Sequence, residues 1–347
     1  MKTIRVNTSK PYDVLIERGS IKSCGKYIAD IAKSRRAAII TDDVVERLYG
    51  DTVKKSLTEN GFGCTMFSFP NGEASKSLAV LSDIYDFLCE SSITRNDIII
   101  ALGGGVVGDI TGFAAATFLR GVEFVQIPTT LLAQIDSSVG GKTAIDLKCG
   151  KNLAGAFKQP ALVICDSDTL KTLSPDILAD GMAEAIKYGM IRDEKLFGLI
   201  AEHDLGNVHE VMDEIVYTCI DIKRAVVEND EFDRGERMIL NFGHTIGHAI
   251  EGYHNYVNYT HGKGVAAGMC IITRRFAENL SERLEKCVRA YGLPIDSEAS
   301  MAELLPFCSK DKKRESNNIN FIVCEKIGEA EIRKASVAEF NKMMEES

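Results

Sequence analysis

The run Asp97-Ile-Ile-Ile-Ala-Leu102, followed directly by Gly103-Gly-Gly-Val-Val-Gly-Asp109 and then by the apolar stretch Ile110 to Leu119, decides the fold. An unbroken short apolar run bounded by turn residues is the pattern of a strand covered on both faces. The stretch after the glycines reads as a helix. A glycine cluster between a buried strand and a helix lets the backbone approach a pyrophosphate, whose charge is met by the N–H groups at the helix start. The cluster is not the G-x-G-x-x-G fingerprint, and a tight turn with close helix packing would also call for such glycines.

Working outward, the same strand-then-helix grammar repeats on both sides. Upstream, residues 1 to 18 alternate around Ser9-Lys10-Pro11 as a hairpin. Ala37 to Thr41 reads as a strand ending in Thr41-Asp42-Asp43, Val44 to Asn60 as an amphipathic helix, and Cys64 to Pro70 as the next strand. Asn71-Gly-Glu-Ala-Ser-Lys76 is a polar loop leading to a helix over Leu78 to Glu90. Downstream, Phe124 to Pro128 and Ala161 to Asp166 are strands. This alternation predicts a parallel sheet with helices on its faces. Beyond Asp168 the pattern turns helical over Pro175 to Gly189, Glu194 to Ala201, Val208 to Glu228, Arg237 to Glu251, Lys263 to Asn279 and Ser281 to Tyr291. A hairpin of Ile319 to Cys324 and Glu329 to Arg333 closes the chain, and the domain boundary is set at 168, giving domains 1–168 and 169–347.

Composition narrows the function classes. The 347 residues are 45% hydrophobic and 26% charged, with a net charge of -9, so no cationic excess exists to replace the counterions of duplex nucleic acid. An anionic ligand would need a local basic pocket. Ten cysteines are scattered from Cys24 to Cys324 without a C-x-x-C pair, the spread expected of apolar fillers in a reducing compartment. With no positively charged and apolar leader and no run long enough for a membrane span, the expectation is a cytoplasmic protein.

The densest chemistry lies in Arg237-Met-Ile-Leu-Asn-Phe-Gly-His-Thr-Ile-Gly-His-Ala-Ile-Glu251 and in His261-Gly262. His244 and His248 are spaced i, i+4, which sets them on one helical face as partners for a divalent metal, or as satisfied core histidines. In Gly181-Met-Ala-Glu-Ala-Ile-Lys-Tyr-Gly189, Glu184 and Lys187 lie one turn apart, either as a surface ion pair or as a metal-binding carboxylate beside a substrate-binding ammonium. Gly140-Gly-Lys-Thr143 is not a P-loop, because Asp136 stands where its first glycine belongs. Lys142 and Lys151 are read as lying in polar loops, able to clamp a phosphate ester or simply solvated. Lys223 and Arg237 bracket the acidic connector Glu228-Asn-Asp-Glu-Phe-Asp233.

Taken in order, Gly103-Gly-Gly-Val-Val-Gly-Asp109, Phe118-Leu-Arg-Gly121, Pro128-Thr-Thr-Leu131, Asp136-Ser-Ser-Val-Gly-Gly-Lys-Thr143, Gly150-Lys-Asn152, Ala183-Glu-Ala-Ile-Lys-Tyr-Gly189 and Asn241-Phe-Gly-His-Thr-Ile-Gly-His248 resemble the 3-dehydroquinate synthase family of sugar-phosphate cyclases. The resemblance implies an α/β, Rossmann-like N-terminal domain and a mainly α-helical C-terminal domain with the active site between them. It also implies NAD⁺ and a divalent metal, Zn²⁺ with Co²⁺ as the alternative, acting in the shikimate pathway. The metal ligands it implies are Glu184, His244 and His261, with His248 moved from the metal to proton transfer near the substrate phosphate.

By the same resemblance Lys142, Asn152, Lys223 and Arg237 would hold the anionic ends of the substrate, and Lys187 and Asn241 its hydroxyls. Lys312 would join the anion cluster, and Arg120 would reach the phosphate from the partner subunit of a homodimer. Cofactor contacts would come from Asp42, Glu73, Lys76, Gly104, Gly105, Val106, Asp109, Thr129, Thr130, Lys142, Lys151, Thr169, Thr172 and Leu173, with Asp136 where cofactor and substrate meet. Three positions depart from the family pattern: Ile177 and Lys263, where Glu is typical, and Asp233, where Glu is common.

Overall fold

The computed structural model describes residues 1–254, 259–308 and 318–345; Lys312 lies outside them. The chain divides into two units, Met1–Leu173 with Lys223–Phe232, and Ser174–Ile222 with Asp233–Ser347.

The first unit is built on a seven-stranded sheet. Its strands are β1 (Lys2–Val6), β2 (Tyr12–Ile16), β3 (Arg36–Asp42), β4 (Gly63–Phe69), β5 (Ile98–Gly103), β6 (Glu123–Pro128) and, after the ribbon of β7 (Lys142–Leu147) and β8 (Gly150–Phe157), β9 (Leu162–Cys165). The order is β1-β2-β9-β6-β5-β3-β4, antiparallel between β1 and β2 and parallel elsewhere. β5 shows why the quoted run is unbroken. Ile98, Ile100 and Leu102 face a core that includes Ile28 of α1 (Cys24–Ile31) and Leu57. Ile99 and Ala101 face another core with Leu81, Ile84 and Leu88. Both faces are dry, so alternation disappears.

The predicted helix over 44–60 is α2 (Asp43–Val45), a π-turn (Glu46–Gly50) and α3 (Asp51–Glu59) in succession. Asp42 caps its start, accepting from the N–H groups of Val44 and Val45 at 3.0 and 2.9 Å. α4 (Leu78–Glu90) is capped by Ser77. α5 spans Gly105–Thr117, so the helix begins inside the glycine cluster and not at Ile110; only Gly103 and Gly104 form the turn. Lys142 and Lys151 sit on β7 and β8, not in loops. There Thr143 and Ile145 turn inward while the partner strand is largely exposed, a pattern masked by the flanking glycines and the polar outer face.

In the second unit, α6 (Pro175–Arg192) and α7 (Glu194–Ala201) precede α8 (Met212–Asn229), whose last turns from Lys223 belong to the first unit. Asn7 and Ser9 donate backbone N–H bonds to Glu228 and Glu231 at 2.6 and 2.8 Å, tying that segment to the N-terminal hairpin. The helix expected over 237–251 is two pieces: a 3-10 turn (Glu236–Asn241) and α9 (His244–Tyr253). Gly243 separates them at φ 78°, a left-handed conformation that costs glycine least. α10 (His261–Phe276), α11 (Glu278–Ala290), α12 (Met301–Cys308), the hairpin β10 (Asn318–Lys326) and β11 (Glu329–Ser336), and α13 (Val337–Glu345) complete the unit.

Candidate active site

Four glycines bring α9 and α10 together at backbone distance. A Cβ at Gly247 would lie 2.8 Å from the carbonyl of Gly264, and one at Gly264 2.9 Å from the carbonyl oxygen of Gly247. A Cβ at Gly268 would strike the carbonyl oxygen of Gly243. This crossing sets His244 and His248 of α9 beside His261, the first residue of α10, with ring centroids 5.1 Å (His244 to His261) and 6.0 Å (His248 to His261) apart. The start of α10 has no cap from Thr260; Asp180 of α6 supplies one, accepting from the Gly262 N–H at 2.7 Å.

α6 contributes Glu184 from a stretch buried from Gly181 to Ile191. Its Oε1 is 3.5 Å from His244 Nε2 and 3.4 Å from His261 Nε2, and one donor atom of each of the three lies within 4.8 Å of the others. Glu184 and Lys187 are each 1% exposed, so their ion pair is a core feature and not surface decoration. His244 Nδ1 meets the Phe242 carbonyl at 3.1 Å, and His261 Nδ1 meets the Glu251 carboxylate at 3.1 Å. With both Nδ1 atoms engaged as donors, it is the Nε2 atom of each ring that turns toward Glu184, as a lone pair on His244 and, while the ring is protonated, as an N–H on His261.

The electrostatics agree with that arrangement. Burial, aided by the Lys187 ammonium and against the pull of Glu184, holds His244 well below the ordinary imidazole range. Burial opposes protonation of His261 too, but its bonds to Glu184 and Glu251 outweigh it and lift the ring to about 10. Two carboxylates around two imidazoles favour positive charge at the centre. Two nitrogens and one oxygen in a closed group leave a further coordination position open, the donor set of a catalytic Zn²⁺ or Co²⁺ site. The residues fit a divalent metal.

In the first unit, Gly104 is the N-cap of α5 and no side chain caps the helix, so the N–H groups at its start are presented to an anion. Val106 lies in this first turn, and Lys76 Nζ bonds Asp109 at 2.6 Å and also Asn152. Burial works against the Lys76 charge, yet Asp109 holds its ammonium above the usual range. Glu73 lies 3.8 Å from Lys151. Thr129 and Thr130 follow β6. The Tyr49 hydroxyl donates to the Thr169 carbonyl at 3.0 Å and lies 2.7 Å from the Thr172 hydroxyl, within the 3-10 turn Ser167–Thr172, which Leu173 ends. Asp136 accepts from Lys223 at 2.7 Å, while Lys142 and Asn152 are exposed. An uncapped helix start beside a lysine-bearing wall fits a dinucleotide's pyrophosphate.

The remaining candidates stand on the second unit, with Arg237 buried and Asn241 and His248 exposed, and at the end of α5, where Arg120 is exposed. Of the departures, Ile177 is 49% exposed, and Asp233 adopts φ 57°, a left-handed conformation that a short acidic side chain tolerates better than Glu. Two residues escaped the sequence reading: Asp180, for which no local signal exists, and Glu251. The latter follows His244 and His248 at i+7 and i+3, on the same helical face.

Comparison with known proteins gives this site its family. Residues 66–180 match the 3-dehydroquinate synthase N-terminal model and 181–314 the C-terminal model. The chain is 45% identical to the 3-dehydroquinate synthase of Clostridium acetobutylicum, covering 99% of both chains. It is 44% identical to that of Clostridium kluyveri, covering 98% of this chain and 97% of the relative. Two solved structures share the fold over nearly all of both chains at a TM-score of 0.87: a 2-deoxy-scyllo-inosose synthase complexed with carbaglucose-6-phosphate, NAD⁺ and Co²⁺, at 23% identity, and the 2-epi-5-epi-valiolone synthase of Streptomyces hygroscopicus with NAD⁺ and Zn²⁺, at 21%. With both halves matched in order and relatives alike from end to end, this chain belongs to the 3-dehydroquinate synthase family.

Proposed function

We propose that the chain converts 3-deoxy-D-arabino-heptulosonate 7-phosphate to 3-dehydroquinate and inorganic phosphate, in the shikimate pathway, with NAD⁺ regenerated in each turnover. The observation that carries the reading is the buried Glu184, His244 and His261 set with the Lys187 ammonium beside it, in a chain of this family. Bound there, a divalent metal, Zn²⁺ or Co²⁺, would supply polarisation of the C5 hydroxyl, and NAD⁺ would supply a reversible hydride acceptor for that carbon.

This chain's own residues account for the rest. Glu184, His244 and His261 hold the metal, and Lys187 limits the negative charge that Glu184 brings into the core. The first turn of α5, with Gly104, Gly105 and Val106, receives the cofactor's pyrophosphate, and Asp42, Glu73, Lys76, Asp109, Thr129, Thr130, Lys151, Thr169, Thr172 and Leu173 contact the cofactor along its length. Lys142, Asn152, Lys223 and Arg237 meet the substrate's phosphate and carboxylate, with Asp136 keeping the Lys223 ammonium oriented at 2.7 Å. His248, exposed and one turn from His244, moves a proton near the leaving phosphate, while Lys187 and Asn241 hold hydroxyls. Discrete cations are what an acidic protein needs to gather a sugar that carries both a phosphate and a carboxylate.

The reading includes a cytoplasmic homodimer in which Arg120 reaches the partner subunit's phosphate site. Leu119 and Arg120 take φ 49° and 63° at an exposed corner, a left-handed backbone that costs each residue about 1–3 kcal/mol. No helix among the described residues is long and apolar enough to cross a membrane.

The test is phosphate release from that substrate with catalytic NAD⁺, before and after chelation. Release far beyond the NAD⁺ supplied, lost on chelation and restored by Zn²⁺, is expected. No release from protein loaded with metal and NAD⁺ would overturn the assignment and direct attention to the substrates of the sister cyclases.

A further inference from the structure

We infer that Glu251 is a positioning residue for the metal, acting through His261. Its Oε1 lies 3.1 Å from His261 Nδ1, while the other ring nitrogen faces Glu184 Oε1 at 3.4 Å. A neutral imidazole carries one N–H and one lone pair, so donation from Nδ1 to Glu251 fixes the tautomer and turns the Nε2 lone pair toward the ion. The two histidines differ in this respect: the partner of His244 Nδ1 is the neutral Phe242 carbonyl, and the partner of His261 Nδ1 is a carboxylate. His261 is therefore the stronger donor of the pair, and Glu251 is what makes it so.

The fold reserves space for this contact. Glu251 is buried on α9, on the face shared with His244 and His248. It lies against Gly264 of α10, where an added Cβ would come within 3.2 Å of its Cγ and 3.3 Å of its Oε1. A Cβ at 264 would make the carboxylate give by a few tenths of an ångström. The missing side chain that lets the helices cross also leaves the carboxylate its place.

His248, Glu251 and His261 also present donor atoms within 4.8 Å of one another. Glu251 Oε1 is already at hydrogen-bonding distance of His261 Nδ1, so an ion taken there would either displace that bond or compete with the Glu184 side for Nε2. The geometry favours one ion held on the Glu184 side and a hydrogen bond on the Glu251 side.

The inference rests on the metal reading above. Apo-protein is titrated with Co²⁺, with affinity read by competition against a chelating dye and ligand field by visible absorption, for wild type, Glu251→Gln and Glu251→Ala; urea midpoints of the apo forms report folding. Expected are one Co²⁺ per chain, affinity weakened by about 10- to 100-fold in E251A, and an intermediate loss in E251Q, whose amide oxygen accepts from Nδ1 without the charge. The d–d bands shift in both. If E251A does not fold, the isosteric E251Q decides by the same comparison. Affinity and spectrum within twofold of wild type in every variant that folds overturn the inference. So does a second Co²⁺ per chain whose binding alone is lost in E251Q. Wild type that takes up no Co²⁺ overturns both the metal reading and this one, whereas intact Co²⁺ binding without phosphate release overturns only the proposed reaction.

Discussion

Replacing Gly268 by Ala tests whether the α9–α10 crossing builds the metal site. In an open helix this change stabilises, by about 1 kcal/mol. Here the new Cβ meets the carbonyl oxygen of Gly243, and lies 2.8 Å from the Gly247 nitrogen and 3.0 Å from the Gly243 carbonyl carbon. All three atoms are backbone, so no rotamer change relieves the clash, and the upper overpacking cost of about 3 kcal/mol applies. The net expectation is a loss of about 2 kcal/mol, combining the two effects. Separating the helices also moves His261 from His244, and metal ligation tolerates errors of only about 0.2 Å, so Co²⁺ affinity should fall by about tenfold or more. Gly198→Ala is the internal control, because α7 leaves nothing within 4 Å of a Cβ there; it should stabilise by about 0.5–1 kcal/mol. Urea denaturation and Co²⁺ titration of both variants provide the readout. G268A as stable as G198A, with wild-type metal affinity, would refute the reasoning.

Three further outcomes follow from other parts of the molecule. Lys76→Met leaves Asp109 without its 2.6 Å partner and should cost about 3 kcal/mol, the lower end for breaking a buried pair because Asp109 keeps 19% of its side chain exposed; Asp109→Leu in the same chain should recover part of the loss in urea denaturation. Native protein treated with a thiol reagent at pH 8 should label Cys89 and Cys149 first, because burial pushes the thiols up to about 11 in Cys24 and about 12 in Cys287 and Cys324; labelling of those three before Cys89 would contradict the packing. Burial works to raise the Asp97 carboxyl, but bonds from the Ser34 hydroxyl and from the Thr94 N–H and hydroxyl win and lower it. Its folded pKa is thus below the unfolded value of about 4, so its stabilisation is present above that pH and lost as pH falls through the folded value. Asp97→Asn should therefore flatten the acid limb of urea midpoint against pH and leave the slope near neutrality unchanged.

Secondary structure was legible wherever burial is one-sided or complete along a strand or helix. The β5 run and the glycines after it announce a strand covered on both faces and a turn into α5, and Ser9-Lys10-Pro11 announces the first hairpin. Other local readings missed for local reasons: α5 begins at Gly105 inside the glycine cluster, β7 and β8 hide among glycines and polar residues, and the single helix expected over 237–251 overlooked Gly243 as a left-handed break.

The sequence by itself determined the α/β order of elements and, through motifs spread from Gly103 to His248, the family. It could name Glu184, His244 and His261 only by resemblance, because spacing relates residues on one helix and these stand on three. Tertiary structure alone decided that Glu184 and Lys187 are buried together, that Asp180 caps α10, that Glu251 holds His261, and that Lys223 belongs with Asp136. Each of those depends on helices meeting in space. For α9 and α10 that meeting rests on glycines whose local signal reads as weakness and whose purpose appears only when the neighbouring backbone is in place.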